Sequence, residues 1–205
     1  MQAQECVVWV ETSTRAWYTW IDSYFTRFGF SKSEVDPNLY QIVVEGKLLI
    51  IVLYVDDLIL TGDELLIHSC KADLAKEFEM KDLGLLHYFL GLEIWQRSDG
   101  LFVSQGKYAW EILEKFNMHG CKPVDTPLPS GWRKEDATSA EVVDATVYRQ
   151  LVGSLMYLVN TRPDICYAVN QLSQAMVKPT KLCWKAGKHV LRYLRGKSGY
   201  GLWYR

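Results

Sequence analysis

The chain has no long apolar run. Its longest strictly apolar stretch, Leu48 to Val55, has eight residues, whereas a membrane-crossing helix needs about 20. Met1-Gln2-Ala3-Gln4-Glu5 offers no basic region leading into an apolar core, which argues against a secretory leader. Paired cysteines are absent as well. Cys6, Cys70, Cys121, Cys166 and Cys183 are odd in number, scattered, and form no CxxC. Reduced thiols in an intracellular protein are therefore expected, rather than a disulfide or zinc framework. His68, His87, His119 and His189 lack ligand spacing and are expected to be structural or surface residues. No repeat or low-complexity tract occurs. Acidic residues vanish near the C-terminus: none follows Asp164, whereas eight Lys or Arg do. With the whole chain at −1, a basic tail stands behind an acidic body, which suits a polyanionic partner.

What is present is enough apolar and aromatic residue for a sizeable core, in an α+β order. At 205 residues the chain is long enough for one large domain or two small ones. Trp17, Ile21, Tyr24, Phe25 and Phe28 recur at helical spacing over 14–28, with Gly29 as a stop. Residues 39–45 and 47–55 form paired strands around Glu45-Gly46, and 58–61 forms a return strand. Asp63 caps a helix reaching Phe78, with Leu66, Cys70, Leu74 and Phe78 on one face. A second hairpin, 86–96 and 101–104, turns at Ser98-Asp99-Gly100, and a short helix covers 108–116. Residues 120–144 are loop or linker. Helices follow at about 145–160, 164–177 and 180–195, the last capped by Thr180 and stopped by Gly196, and 199–204 begins a strand. The division expected from this order is 1–104 and 105–205.

The most informative residues are Tyr54-Val55-Asp56-Asp57, between the apolar runs 48–53 and 58–61. Two adjacent aspartates cannot both be buried there without partners. In a strand neighbouring side chains point to opposite faces, but at a hairpin tip both carboxylates can reach one place. Two carboxylates together suit a hard divalent cation such as magnesium. The bland alternative is a solvated turn pair. In the tail, Lys181, Lys185, Lys188, Arg192 and Arg195 fall on one helix face. Leu182, Ala186, Val190 and Tyr193 fall on a neighbouring face that can pack inward. The stripe fits a nucleic-acid backbone; a merely solvated face is the alternative.

Further blocks occur in order. They are Phe78-Glu79-Met80-Lys81-Asp82-Leu83-Gly84, Tyr88-Phe89-Leu90-Gly91-Leu92-Glu93-Ile94, Leu101-Phe102-Val103-Ser104-Gln105, Lys107-Tyr108 and Cys121-Lys122-Pro123-Val124-Asp125-Thr126-Pro127. Tyr148-Arg149-Gln150-Leu151-Val152-Gly153-Ser154-Leu155-Met156-Tyr157-Leu158 and Thr161-Arg162-Pro163-Asp164-Ile165 complete the series. From about Arg15 to the end, the series resembles the copia-type LTR retrotransposon reverse transcriptase.

That resemblance implies a partial polymerase palm followed by a mainly helical thumb and connection. It implies an RNA template, a DNA primer or RNA–DNA hybrid, deoxynucleotides and Mg2+ as partners, with no membrane. Asp56 and Asp57 would be two of three metal-site carboxylates. Tyr54 and Val55 would lie near the primer terminus and incoming nucleotide. Phe89-Leu90-Gly91 would be a primer-grip turn, or else an ordinary strand with a bulge glycine. Lys81, in the turn before it, would lie near the pyrophosphate, or else be merely solvated.

In the family the third carboxylate sits on a strand upstream of the Arg15-Ala16-Trp17-Tyr18 block, where this sequence offers only Glu5 and Glu11, neither in a matching context. The family's Lys-Gln-Ala/Ser-Pro also departs here to Glu11-Thr12-Ser13-Thr14, and Trp9 replaces a glycine. The expectation is a polymerase fragment inactive by itself. The alternatives are a non-catalytic nucleic-acid-binding module or a non-functional retroelement relic.

Overall fold

A computed structural model describes residues 4–9, 14–132 and 141–205. The chain is α+β and divides into two compact units, the first ending at His87 and the second running from Tyr88 to Arg205.

The first unit is an antiparallel six-stranded sheet with two helices. Its strands are β1 (Gln4–Trp9), β2 (Ser31–Lys32), β3 (Leu39–Val44), β4 (Lys47–Tyr54), β5 (Asp57–Gly62) and β6 (Met80–Leu85), and its helices are α1 (Thr14–Arg27) and α2 (Glu64–Glu77). The spatial order is β2-β3-β4-β5-β1-β6. Alternation along β4 and β5 sorts the side chains. Leu49, Ile51, Leu53, Leu58 and Leu60 are buried in one core with Trp17, Ile21, Tyr24 and Phe25 of α1 and Ile67 and Leu74 of α2. Each fully buried Ile or Leu contributes about 2 kcal/mol. Phe28, expected on the same helix face, is instead about half exposed, stacked on Tyr24. Asp63 caps α2 as expected, accepting from the Leu65 and Leu66 amides. β1 and β6 have no counterpart in the sequence reading. Most of β6 is exposed, as befits the outermost strand of its sheet, so it lacks the apolar signature that marks β4 and β5.

The second unit joins a four-stranded antiparallel sheet to a helical group. The strands are β7 (Tyr88–Phe89), β8 (Leu92–Arg97), β9 (Gly100–Ser104) and β10 (Gly201–Tyr204), in the order β10-β9-β8-β7. The helices are α3 (Gly106–Lys115), α4 (Ala145–Leu158), α5 (Cys166–Ser173) and α6 (Lys181–Gly196). Their core contains Ile112, Leu113, Tyr148, Leu151, Leu155, Val169, Leu172, Val190 and Leu194. Two expected helices differ in detail. The second tail helix is a 3-10 turn, Pro163–Ile165, followed by the shorter α5. α6 includes Gly196 and ends on Lys197, while Thr180 caps its start.

Among the described residues of this unit, one charged group is fully buried. Arg162 is 1% exposed. Its guanidinium donates to both oxygens of Asp164, at 2.9 and 2.8 Å, and to the Lys197 carbonyl at 2.9 Å. Tyr193 on α6 donates to the same carboxylate at 2.8 Å. Burial by itself would raise the Asp164 carboxyl. The hydrogen bonds from Arg162 and Tyr193 and the Arg162 charge outweigh it, and the group sits below its ordinary value. The Thr161-Arg162-Pro163-Asp164 block thus ties a turn to the end of α6.

Candidate active site

Tyr54-Val55-Asp56-Asp57 closes the β4–β5 hairpin. Tyr54 pairs with Asp57 across the ladder, so Val55 and Asp56 form a two-residue loop. The tip belongs to two interior strands of the sheet. Val55 has φ +54°. A positive φ at the first loop residue is the pattern of II′ hairpins, which favour glycine there. A β-branched residue in that conformation is strained. The strain is held by Trp17, whose indole Nε1 donates to the Val55 carbonyl at 2.9 Å. Nothing in the spacing of Trp17 signals this role, because its position already fits the α1 core.

The two carboxylates are chain neighbours at this tip. Asp56 is exposed on the loop, and Asp57 is half-buried on the face opposite Leu58 and Leu60. Burial, and then the neighbouring Asp56 charge, push the Asp57 carboxyl above its ordinary value. A carboxylate raised in this way gains when a cation arrives, because the cation offsets both the desolvation and the repulsion. The donor set is hard oxygen and so fits a divalent cation of the magnesium class. It is also incomplete: among the described residues no cluster of three His, Cys, Asp or Glu could hold a metal.

The lane beside Asp57 explains the shortage. β5 is hydrogen-bonded to β4 on one side and to β1 on the other, with Val8 opposite Asp57. Glu5 of β1 is opposite Leu60, three residues from the aspartate end. Glu11, Thr12 and Ser13 lie outside the described residues. Lys81 lies in β6 rather than in a turn, opposite Val8. Asp57, Val8 and Lys81 are therefore paired positions in one row across the sheet. Lys81 is two lanes from Asp57, roughly 10 Å at ordinary strand spacing.

In the second unit, Phe89 pairs with Leu92, so Leu90 and Gly91 form another two-residue loop. Their φ values are +48° and +76°. Tyr157 on α4 donates its hydroxyl to the Leu90 carbonyl. A Cβ on Gly91 would stand 2.9 Å from that hydroxyl. The glycine is thus required by the turn and by Tyr157, whatever else approaches it.

The basic stripe on α6 divides. Arg195 donates to the His119 carbonyl at 2.7 Å, and Arg192 to the Lys122 carbonyl at 2.8 Å. Lys181 pairs with Glu141. Lys185 and Lys188 have no carboxylate partner among the described residues. Two of the five cations therefore hold a loop, a use that helical spacing cannot reveal.

With the geometry in hand, comparison with known proteins is informative. Residues 2–130 match the family described as reverse transcriptase (RNA-dependent DNA polymerase). The retrovirus-related Pol polyprotein from transposon RE1 of Arabidopsis thaliana is 40% identical over 195 residues, covering 94% of this chain and 13% of that protein. The Pol polyprotein from transposon TNT 1-94 of Nicotiana tabacum is 39% identical over 201 residues, covering 93% of this chain and 15% of that protein. These relatives are copia-type. A putative transposon Ty5-1 protein of Saccharomyces cerevisiae is 33% identical over 192 residues, covering 92% of this chain and 62% of that protein. The chain thus spans only about one-seventh of the Pol polyproteins it matches. No solved structure matches it. Among the described residues no helix is long and apolar enough to cross a membrane.

Proposed function

The chain belongs to the reverse transcriptase family, and from that membership we propose that it supplies two of the three metal-binding carboxylates and the primer-side turn of a retrotransposon RNA-directed DNA polymerase. The observation that carries the reading is the Asp56-Asp57 pair on a strained, Trp17-anchored hairpin, with Asp57 desolvated beside a like charge. In this reading the first unit is palm, and the second carries the primer grip and the thumb.

The family generally uses divalent metal ions, and we take Mg2+ as the cation. Asp56 and Asp57 would hold it, and the chemistry it would supply there is activation of a primer 3′-hydroxyl and charge neutralisation of the leaving pyrophosphate. The protein's own part is positional. Asp56 and Asp57 hold the charge in place, and the Trp17 bond fixes the carbonyl just before them. Tyr54, 45% exposed, and Val55 flank the site where primer and deoxynucleotide would meet. Lys81, in the same row as Asp57, places a positive charge where the departing phosphates would be. The Phe89-Leu90-Gly91 turn, held by Tyr157, would steady the primer backbone. The partners in this reading are an RNA template and a DNA primer.

The described residues of this stretch provide two carboxylates at the hairpin, and in this reading the third comes from another part of the polymerase. The chain alone should therefore show no primer extension with Mg2+ and deoxynucleotides, since electrostatic stabilisation carries most of such an acceleration. Template-dependent extension that disappears in Asp56→Asn would contradict this.

A further inference from the structure

We propose that a groove between α6 and the loop 118–132 binds one nucleotide unit of a single strand, its phosphate against the lysines and its base against the apolar wall. This takes from the polymerase reading only the choice of nucleic acid as ligand. The groove lies in the second unit and uses no residue of the aspartate hairpin.

The groove has a volume of about 350 Å³, at the small end of ligand pockets, which run to about 300–1,000 Å³. That admits a nucleotide but not a duplex. The loop brings an apolar wall, Pro129 and Trp132; α6 brings Leu182 with Lys185, Lys188 and Arg192. Among the described residues, no acidic one lines it. Among the described residues, no carboxylate pairs with any of these three cations. Like charges gathered in a hollow repel one another, and an anion in the hollow reverses the sign of that energy.

The hollow is also built in advance. Three side chains of one helix face hold the backbone of the facing loop. Arg195 reaches the His119 carbonyl, Arg192 reaches the Lys122 carbonyl, and the His189 Nε2 lies 3.0 Å from the Thr126 carbonyl. Burial, with the Arg192 charge, holds the His189 imidazole below its ordinary value, so near neutral pH it acts as a clamp and adds no charge. Arg192 serves both purposes: its Nε donates to the loop, and the residue also lines the groove. Because loop and helix are already joined, a ligand meets walls that need no ordering, which lowers the cost of binding. Cations opposite a flat apolar wall match the two halves of a nucleotide, as in single-strand sites that combine charge with base contact.

The test uses the full chain in EDTA, with a fluorescein-labelled single-stranded RNA ten-mer followed by anisotropy at several salt concentrations. Lys185→Gln with Lys188→Gln should weaken binding and flatten the log–log salt slope by about 1.4, for two phosphate contacts at roughly 0.7 each. Lys185→Glu alone, at an exposed position, should weaken binding in the same direction. Adenosine 5′-monophosphate should displace the RNA at concentrations where inorganic phosphate does not. Absence of binding by the parent, or an unchanged slope in the double variant, would overturn the site. Equal competition by phosphate and nucleotide would overturn the base contact. EDTA keeps divalent cations from the aspartate hairpin, so failure here is distinct from failure of the polymerase reading.

Discussion

At the scale of single residues, Asp57 works against folding. Its carboxyl is raised by burial and by Asp56. The native state therefore holds a proton there that the unfolded chain gives up, and stability falls as pH rises from the ordinary aspartate range through the raised value. Asp57→Asn removes that cost. We expect the variant to melt higher than the parent near pH 7 without divalent cation, with the two curves converging as pH falls toward about 3.5. A variant that melts lower at pH 7 would show that the carboxylate is stabilising. Val55 is strained in a similar way. Val55→Gly should stabilise the chain by about 1 kcal/mol, the relief of a left-handed β-branched residue less the added freedom of glycine in the unfolded chain. Denaturant unfolding measures this, and a loss of stability would mean that the valine side chain contributes more than its backbone costs.

At the scale of elements, the interior strands and the helix faces are legible in the sequence because their patterns are consequences of burial. β4 and β5 show as apolar runs, and α2 shows as a face ending in Leu74 and Phe78 with Asp63 before it. β6 is not legible, because most of its residues face solvent and any apolar signal is weak. Lys81 reads as a turn residue for that reason. The anchoring contacts are equally silent. Tyr157 to Leu90 joins positions 67 apart in sequence, and Arg162 to Lys197 joins positions 35 apart; no local period encodes either. The Arg162 network gives an element-level prediction. Arg162→Met should destabilise the chain by about 3 kcal/mol, because it leaves Asp164 in place without its charged partner. The Asp164 carboxyl sits below its ordinary value, so its contribution is present above the unfolded value and lost as pH falls through the folded one. Stability measured from pH 7 down to pH 2 should fall less steeply in Asp164→Asn than in the parent, and equal slopes would contradict the assignment.

At the scale of the whole molecule, two units carry different parts of the candidate chemistry. The aspartate hairpin is legible because two adjacent acids between apolar runs fit only where the chain turns and both can meet solvent or a cation. The basic stripe is legible as a composition but not as a division of labour, since spacing cannot say that Arg192 and Arg195 bind carbonyls while Lys185 and Lys188 line a groove. The occupied lane beside Asp57 is a property of sheet order, which no segment of sequence displays. The claim on which the rest depends is that Asp56 and Asp57 together hold a divalent cation. Manganese, as a paramagnetic stand-in for magnesium, tests it most directly when titrated into the isotope-labelled chain while backbone amide signals are followed. We expect broadening centred on residues 54–58, reversed by excess magnesium and absent in Asp57→Asn. Broadening centred elsewhere, or equal broadening in the variant, would contradict the account.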